Sequence, residues 1–454
     1  MGKKCGGAVR RIAALLLISV FMAGVVLQAD SSAAHEGAAG LSLSFGFILI
    51  AAYLAGDMLS WTGLPKITGY MAAGACAGPY GLNWIALDTV VGLKLLDNLA
   101  LAFIALAAGG GLGLSAIGPR LRSVCCTVMF QAVGVFAGIF SVMLMARQWF
   151  GFLVEAPMAV SVAAAAVTGV LAIARSPSSA IAVISESRAR GPFTETTLGV
   201  TVIIDVLVIA LFAVTVAIAQ TAVGSGAPLN LYFLLTVLLE LVASIGAGAG
   251  LGWLMGHYIR RVGAELPMVI LAAAFVVTFF SDHLARFLDQ LYEVRFHLEP
   301  MLICMSAGFY VRNRTPDGAR FMQRMDRLSL PVYVLFFALI GASLNFALLR
   351  ETWMLAVMLA ACRMMFIWAS AWISGRLCGE PPLFARMAGF SYIAQAGVSL
   401  GLAGMLAGSF PDWGEAAAVT IVAMISINQV IGPITYKYAL DRVGESRAGR
   451  RGDV

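Results

Sequence analysis

Apolar runs long enough to cross a membrane recur from residue 41 to about residue 440, and short polar or charged loops separate them. About 20 apolar residues in an α-helix span the ~30 Å hydrocarbon core of a bilayer. The pattern predicts an all-α polytopic membrane protein with about 13 transmembrane helices after an N-terminal signal-like segment. The predicted spans are residues 41–60, 65–78, 91–116, 124–145, 156–184, 196–222, 231–258, 267–282, 298–311, 331–349, 353–377, 387–408 and 415–438.

The first 34 residues have the pattern of a targeting segment. Lys3, Lys4, Arg10 and Arg11 precede an apolar run, and small residues follow that run. A secretory signal peptide has these features, and so does an uncleaved signal-anchor helix. The expected organisation is therefore a signal peptide or anchor (1–34), a transmembrane domain (41–440) and a short cytoplasmic tail (441–454).

Composition narrows the function. The chain is 60% hydrophobic and 12% charged, and its net charge of +6 comes from basic residues scattered over loops. Most basic clusters fall on alternate loops, which is the positive-inside pattern of a membrane protein and not the pattern of a nucleic-acid-binding protein. This pattern places the C-terminus in the cytoplasm. The seven cysteines form no CxxC pair, and we find no nucleophile-elbow, HExxH or Walker signature. We expect neither an enzyme nor a bound cofactor.

One apolar run is interrupted at Ser176 and Pro177. Serine at the N-cap followed by proline at the first helical position starts a helix, so the run 156–184 should consist of two half-helices. Pro177 lies roughly 13 Å deep at 1.5 Å per residue. The unpaired backbone groups at such a break must face protein or water, and Arg175 has the charge that compensates the carbonyl end.

A carboxylate lies at a similar depth in the next run. Asp205 is roughly 16 Å from the membrane surface on the same side. Charged groups at this depth are costly in lipid and usually mark an ion path. Glu240 is also buried in a predicted span, where a second proton site and a simple interhelical hydrogen bond are equally good interpretations.

The sequence also suggests an internal repeat. Residues 103–112 resemble residues 336–344, and the spacing of small residues after Pro65 is echoed after Pro300. The paired helices run in opposite directions, as inverted repeats require. The broken run then pairs with the span 387–408, whose interruption contains Gln395, so two discontinuous helices should cross near Asp205.

These features resemble the cation:proton antiporter-2 family, a branch of the sodium/proton-exchanger fold that includes Kef-type potassium systems. The resemblance implies a dimerising scaffold and a mobile core in which a membrane aspartate binds a proton or a cation in alternation. Asp205 matches that aspartate, and Arg363 matches a basic position on the helix before the second broken helix. The resemblance covers residues 41–440 and rests on segments 63–82, 176–183, 205, 336–344 and 395–398.

Two departures from the family refine this expectation. Electrogenic members have an Asp-Asp pair, whereas Ile204 precedes Asp205 here. The resemblance therefore implies electroneutral, one-for-one exchange. Kef-type potassium systems also contain a cytoplasmic nucleotide-binding domain, which this sequence does not show, so any gating of that kind requires a separate regulatory subunit.

The sequence thus predicts a monovalent cation/proton antiporter, for Na⁺ or K⁺, in a bacterial inner membrane. Asp205 is the expected shared site, Ser178, Ser179 and Gln395 are candidate oxygen ligands, and Arg363 is expected to hold Asp205 when neither substrate is bound. The alternatives are a purely structural Asp205–Arg363 ion pair, a gated potassium efflux pathway, and a membrane ion sensor without transport. Membrane lipid and a second copy of the chain are the expected partners.

Overall fold

The computed structural model describes residues 2–28, 38–223, 231–262, 266–292 and 298–446. Helices dominate these residues, as the apolar pattern predicts. The helices are α1 (Gly2–Gln28), α2 (Ala38–Leu59), α3 (Lys66–Ala77), α4 (Leu87–Gly92), α5 (Lys94–Gly111), α6 (Leu114–Ile117), α7 (Leu121–Met145), α8 (Met158–Ile173), α9 (Pro177–Ser187), α10 (Pro192–Ala222), α11 (Leu231–Arg261), α12 (Leu266–Tyr292), α13 (Pro300–Arg314), α14 (Gly318–Ala342), α15 (Phe346–Leu377), α16 (Pro382–Ala388), α17 (Val398–Ser409) and α18 (Gly414–Arg442).

Each of the 13 predicted spans overlaps at least one of these helices. Within the described part of the chain, nine segments are long and apolar enough to cross a membrane by length and composition. Shorter apolar stretches, Met268–Ser281 and Val398–Ser409, lie in α12 and α17. The prediction of an all-α polytopic membrane protein is confirmed.

The start of α14 differs from the sequence prediction. The span was expected to begin at Pro331, after a basic loop, but the helix begins at Gly318 and contains Pro331 in its interior. Proline usually marks a helix boundary because it lacks a backbone N–H, which is why the sequence indicates a start there. The earlier turns are held by side chains at helical spacing, since Phe321 and Met325 are fully buried.

The N-terminal segment forms α1, which packs against α2. The Arg11 guanidinium forms an ion pair with Asp57, and Lys66 Nζ lies 2.7 Å from the other Asp57 oxygen. Arg11 also lies 5.9 Å from the centre of the Trp61 ring. The predicted cleavage region around Ala29 lies outside the described residues, so signal peptide and signal anchor both stay predictions.

The chain divides into two compact units. The first consists of Met1–Ile104 and Met325–Ala347, and the second of Ala105–Arg324 and Leu348–Val454. The chain passes between the units three times: within α5, within α14 and near the start of α15. Every residue of the two helix breaks, together with Asp205 and Arg363, belongs to the second unit.

In the first unit, α3 and α14 approach each other through two glycines. A Cβ atom added to Gly74 would lie 1.9 Å from the carbonyl oxygen of Ala338, and one added to Gly341 would lie 2.1 Å from that of Met71. Only glycine permits backbones to come this close, as at small-residue interfaces between membrane helices. Each glycine therefore meets the carbonyl of the residue three positions before the other glycine.

The second unit repeats this arrangement between α13 and α5. A Cβ atom on Gly308 would lie 2.0 Å from the carbonyl oxygen of Leu106, and one on Gly109 would lie 1.7 Å from that of Met305. The offset of three residues is the same as in the first unit. These are the glycines that the sequence repeat aligns, so the geometry supports the repeat with contacts that a short apolar match cannot provide.

The core of the second unit is built from α7, α8, α10, α15, α17 and α18 around one buried apolar cluster. Helix α8 contains three consecutive small residues that are all buried, Ala163, Ala164 and Ala165. Small side chains allow neighbouring helices to pack closely in the absence of a hydrophobic driving force between them. This packing holds the broken helices α8/α9 and α16/α17 next to α10, which carries Asp205.

Candidate ion-binding site

The first break lies between α8 and α9. Helix α8 ends at Ile173 and α9 begins at Pro177, with Ser176 in the extended conformation of an N-cap. The Ser179 amide donates to Ser176 Oγ at 3.2 Å. The local chemistry of serine followed by proline therefore starts α9 at the residues from which it was predicted.

The second break follows α16. A short 3₁₀ turn covers Gly389–Tyr392, and α17 begins at Val398, so residues 393–397 are not helical. Gly397 has a φ of +50°, which side-chain-bearing residues rarely adopt. The Ser176 amide donates to the carbonyl oxygen of Ala394 at 3.1 Å. This hydrogen bond joins the two breaks directly.

Arg363, on α15, satisfies the carbonyl ends of both breaks and is fully buried. Its Nε donates to the carbonyl oxygen of Ala172 at 2.7 Å, Nη1 to that of Ile393 at 2.8 Å, and Nη2 to that of Ala174 at 2.8 Å. These carbonyls have no intrahelical partners because their helices stop. A cation at the negative ends of two helices is favourable, and the planar guanidinium has the fixed donor geometry for three acceptors.

The expected contact between Arg363 and Asp205 is not formed in this structure. All three guanidinium nitrogens donate to main-chain carbonyls, and the ion pairs among the described residues do not include Asp205. The physical reason is that the broken helices leave several buried carbonyls without donors, and each such group is costly in a low-dielectric interior. The sequence indicates the charge of Arg363 but not which acceptors reach it.

Asp205 lies in the middle of α10 and is only 5% exposed. Its Oδ1 atom is buried without a hydrogen-bond partner. Glu299, the residue before α13, interacts electrostatically with Asp205. A buried carboxylate oxygen without a hydrogen-bond partner is suited to binding a proton or a cation.

The comparison with known proteins adds the family. Residues 45–437 match the family model for the transmembrane sodium/hydrogen exchanger. The chain belongs to the sodium/hydrogen exchanger family. Membership places it among cation/proton antiporters that cross the membrane several times, and it confirms the resemblance seen in the sequence.

Solved structures agree on the fold. The structure of the sodium proton antiporter MjNhaP1 from Methanocaldococcus jannaschii at pH 8 aligns with a TM-score of 0.65 and 16% identity, covering 90% of this chain and 97% of that one. An electron-microscopy map of the same antiporter gives a TM-score of 0.69 and 16% identity, covering 90% and 99%. No curated protein matches the chain significantly.

The candidate oxygen ligands of this exchanger are held within the breaks. Ser178 Oγ and Ser179 Oγ each lie 2.9 Å from Ser176 Oγ. Gln395 Nε2 donates to the carbonyl oxygen of Leu171 at 3.0 Å, and Gln395 Oε1 accepts from Asn428 Nδ2 at 2.9 Å. The structure thus brings Ser178, Ser179 and Gln395 to the crossing, where the two serine hydroxyls bond Ser176 and Gln395 bonds the backbone of α8.

Arg175 is fully buried beside the first break. Its Nη2 donates to Gln131 Oε1 at 2.7 Å, and Nη1 donates to the carbonyl oxygen of Ala174 at 3.2 Å. Arg175 therefore faces a carbonyl of the helix end, as its charge predicts, but its strongest contact is to Gln131 on α7. Glu240 is half-buried in α11, and both interpretations of it stay predictions.

Three residues outside the predicted site interact with it: Gln131 bonds Arg175, Asn428 bonds Gln395, and Glu299 interacts electrostatically with Asp205. Gln131 and Asn428 are single polar residues in long apolar helices, a signal that is also common for interhelical hydrogen bonds. Glu299 stands directly before Pro300, where the pattern indicates a helix end. Only the packing of α7, α13 and α18 brings these three residues to the breaks and to Asp205.

Proposed function

We propose that this exchanger carries one monovalent cation, Na⁺ or K⁺, against one proton, with Asp205 as the site that the two ions share. The supporting observation is the buried Asp205 Oδ1 atom without a partner, in the helix that packs against both α8 and α9. An ionised carboxylate in this environment is stable only when a proton or a cation neutralises it. Occupation by one ion therefore excludes the other.

The position of Arg363 supports a carboxylate that is free to bind ions. Arg363 is committed to the carbonyls of Ala172, Ala174 and Ile393, so it neutralises the helix ends and leaves Asp205 available. With Ile204 before it, Asp205 is a single aspartate and not part of an Asp-Asp pair. Because one carboxylate binds either one proton or one monovalent cation, the exchange is one-for-one and electroneutral. Glu299 is a second carboxylate that favours a cation near Asp205.

The cellular setting follows from the loop charges and the family. We place the protein in a bacterial inner membrane with the C-terminus in the cytoplasm, because basic loops stay on the cytoplasmic side. We expect two copies to form a homodimer in the lipid bilayer. The transmembrane proton gradient then drives cation movement without a cofactor.

The deciding experiment measures proton flux in proteoliposomes with a trapped pH dye, adding Na⁺ or K⁺ in turn. Asp205→Asn is compared with Asp317→Asn, a matched control in which the aspartate pairs with Arg320 at 3.2 Å near the start of α14. We expect cation-dependent flux in the wild type and in the control, and its loss in Asp205→Asn.

Other outcomes would favour the alternatives. Cation flux that is not coupled to protons would indicate a potassium efflux pathway. Cation binding without any flux in folded wild-type protein would indicate a sensor. Flux retained at the wild-type level in Asp205→Asn would show that another group carries the ions. Flux that responds to an imposed membrane potential would overturn one-for-one exchange.

A further inference from the structure

A small cavity lies beside the first helix break, between α9, α10, the second break and α18. It has room for about one water molecule. Its lining includes Arg175, Ser176, Ser179, Thr201, Ser391 and Tyr392.

Two hydrogen-bond donors that line this cavity have no acceptor. Arg175 is 1% exposed and its Nε atom has no partner, and Ser391 is 4% exposed and its Oγ atom has none. A buried donor without an acceptor costs about 1–3 kcal/mol, and more when it is charged. Two such donors in one cavity therefore indicate a missing acceptor, not two independent defects.

The charge around the cavity is positive. Among the described residues, neither Arg175 nor Arg363 has a carboxylate within ion-pair distance, although both are fully buried. The lining contains no acidic side chain, and it includes the N-terminal turn of α9, an 11-residue helix. The N-terminus of a helix is the positive end of its dipole. Arg363 compensates the negative helix ends, whereas no acidic side chain of the cavity lining compensates the positive end of α9.

We propose that this cavity binds a small inorganic anion of the halide class, such as chloride, held by Arg175 Nε and Ser391 Oγ. A monovalent halide accepts hydrogen bonds from every side and is only moderately larger than one water. Carboxylate and phosphate groups are larger still. The bound anion neutralises the buried charge where α9 begins and thereby stabilises the crossing of the two breaks. This inference does not depend on which ions the exchanger transports.

The experiment uses the full-length protein in detergent and bromide as the probe. Thermal unfolding is followed while potassium bromide replaces potassium gluconate at constant ionic strength, so that cation and screening effects stay fixed. We expect bromide to raise the unfolding temperature in a saturable way. Ser391→Ala should weaken the apparent bromide affinity roughly tenfold, because it removes a hydrogen bond to an anion.

Ser399→Ala is the matched control. Ser399 is also fully buried with a hydroxyl that has no partner, but it lies in α17 and is not part of the cavity lining. Its substitution should leave the bromide affinity unchanged. Equal weakening in both variants would overturn the proposal, because it would show a general effect on helix packing.

A second measurement on the wild type is independent of how the variants fold. Crystals grown or soaked with bromide should show an anomalous peak within hydrogen-bond distance of Arg175 Nε and Ser391 Oγ. A peak at this position supports the anion site. No peak, together with no bromide-specific stabilisation, would overturn the proposal and identify the cavity as a water site.

Discussion

Arg363 Nη2 donates to the carbonyl oxygen of Ala174 at 2.8 Å, across a sequence separation of 189 residues. This contact ties the end of α8 to α15, and the same guanidinium also bonds the second break at Ile393. One side chain thus holds two interrupted helices in register. The Arg363 guanidinium thus donates to backbone carbonyls that have no partner within a helix and that lipid could not satisfy.

Replacing Arg363 by glutamine should destabilise the folded protein strongly. Three buried carbonyls would lose charged donors, which corresponds to a loss of about 3 kcal/mol or more. Arg363→Lys should recover part of this stability, because one ammonium keeps the charge but not the planar donor geometry. Thermal unfolding in detergent measures both effects. Arg376→Gln changes an exposed residue of the same helix and is the control; it should leave the unfolding temperature almost unchanged. An equally small change of the unfolding temperature in Arg363→Gln would contradict this role of Arg363.

The glycine contacts of the repeat give a second prediction. Gly308→Ala and Gly74→Ala should each destabilise the protein by roughly 1–3 kcal/mol, because the new methyl group would collide with a backbone carbonyl that cannot move independently. Gly250→Ala is the control, since a Cβ there meets nothing within 4 Å and alanine favours helix. Differential thermal unfolding distinguishes them. A control that loses as much stability as Gly308→Ala would refute the close-contact explanation.

Glu445 fixes the start of the helix that carries Asp205. Its Oε1 accepts from the Phe193 amide at 2.8 Å, and its Oε2 accepts from the Thr194 amide at 2.7 Å and from Thr194 Oγ1 at 2.6 Å. A carboxylate at a helix N-terminus is favoured by both the free amides and the dipole. The residues after α18 therefore anchor α10.

Glu445→Gln should lower the free energy of opening this end of α10 by about 1 kcal/mol, because it removes a charge from the helix N-terminus. Amide hydrogen exchange should become faster at Phe193 and Thr194 while the middle of α10 stays protected. Glu195→Gln, in the same first turn, serves as control. Unchanged exchange at Phe193 and Thr194 in Glu445→Gln would show that the carboxylate is not the anchor.

Competition at Asp205 predicts a definite pH dependence of transport. Protonation of the carboxylate removes the charge that binds the cation, so the apparent KM for the cation should rise as the pH falls. For a single shared site the increase approaches roughly tenfold per pH unit once the carboxylate is mostly protonated. Initial flux rates at several cation concentrations and pH values measure this. A KM independent of pH, with only the maximal rate changing, would argue against a shared site.

The sequence alone specifies a large part of this molecule. Apolar runs of membrane-spanning length determine how many helices form, because every backbone polar group in lipid must be satisfied within a helix. Ser176 and Pro177 determine the first break through local capping chemistry. The depth of Asp205 follows from counting residues along α10. These properties depend on near neighbours in the chain, so a linear pattern predicts them.

Tertiary structure decided which distant groups meet. Arg363 and Asp205 are both buried and are side chains of opposite charge, yet Arg363 bonds the carbonyls of two breaks and leaves Asp205 Oδ1 without a partner. Likewise, Gln395 reaches Leu171 and Asn428 only because α17 and α18 pack beside α8. Such pairings depend on the relative placement of helices far apart in the chain, and the cost of each buried polar group selects the arrangement in which most of them are satisfied.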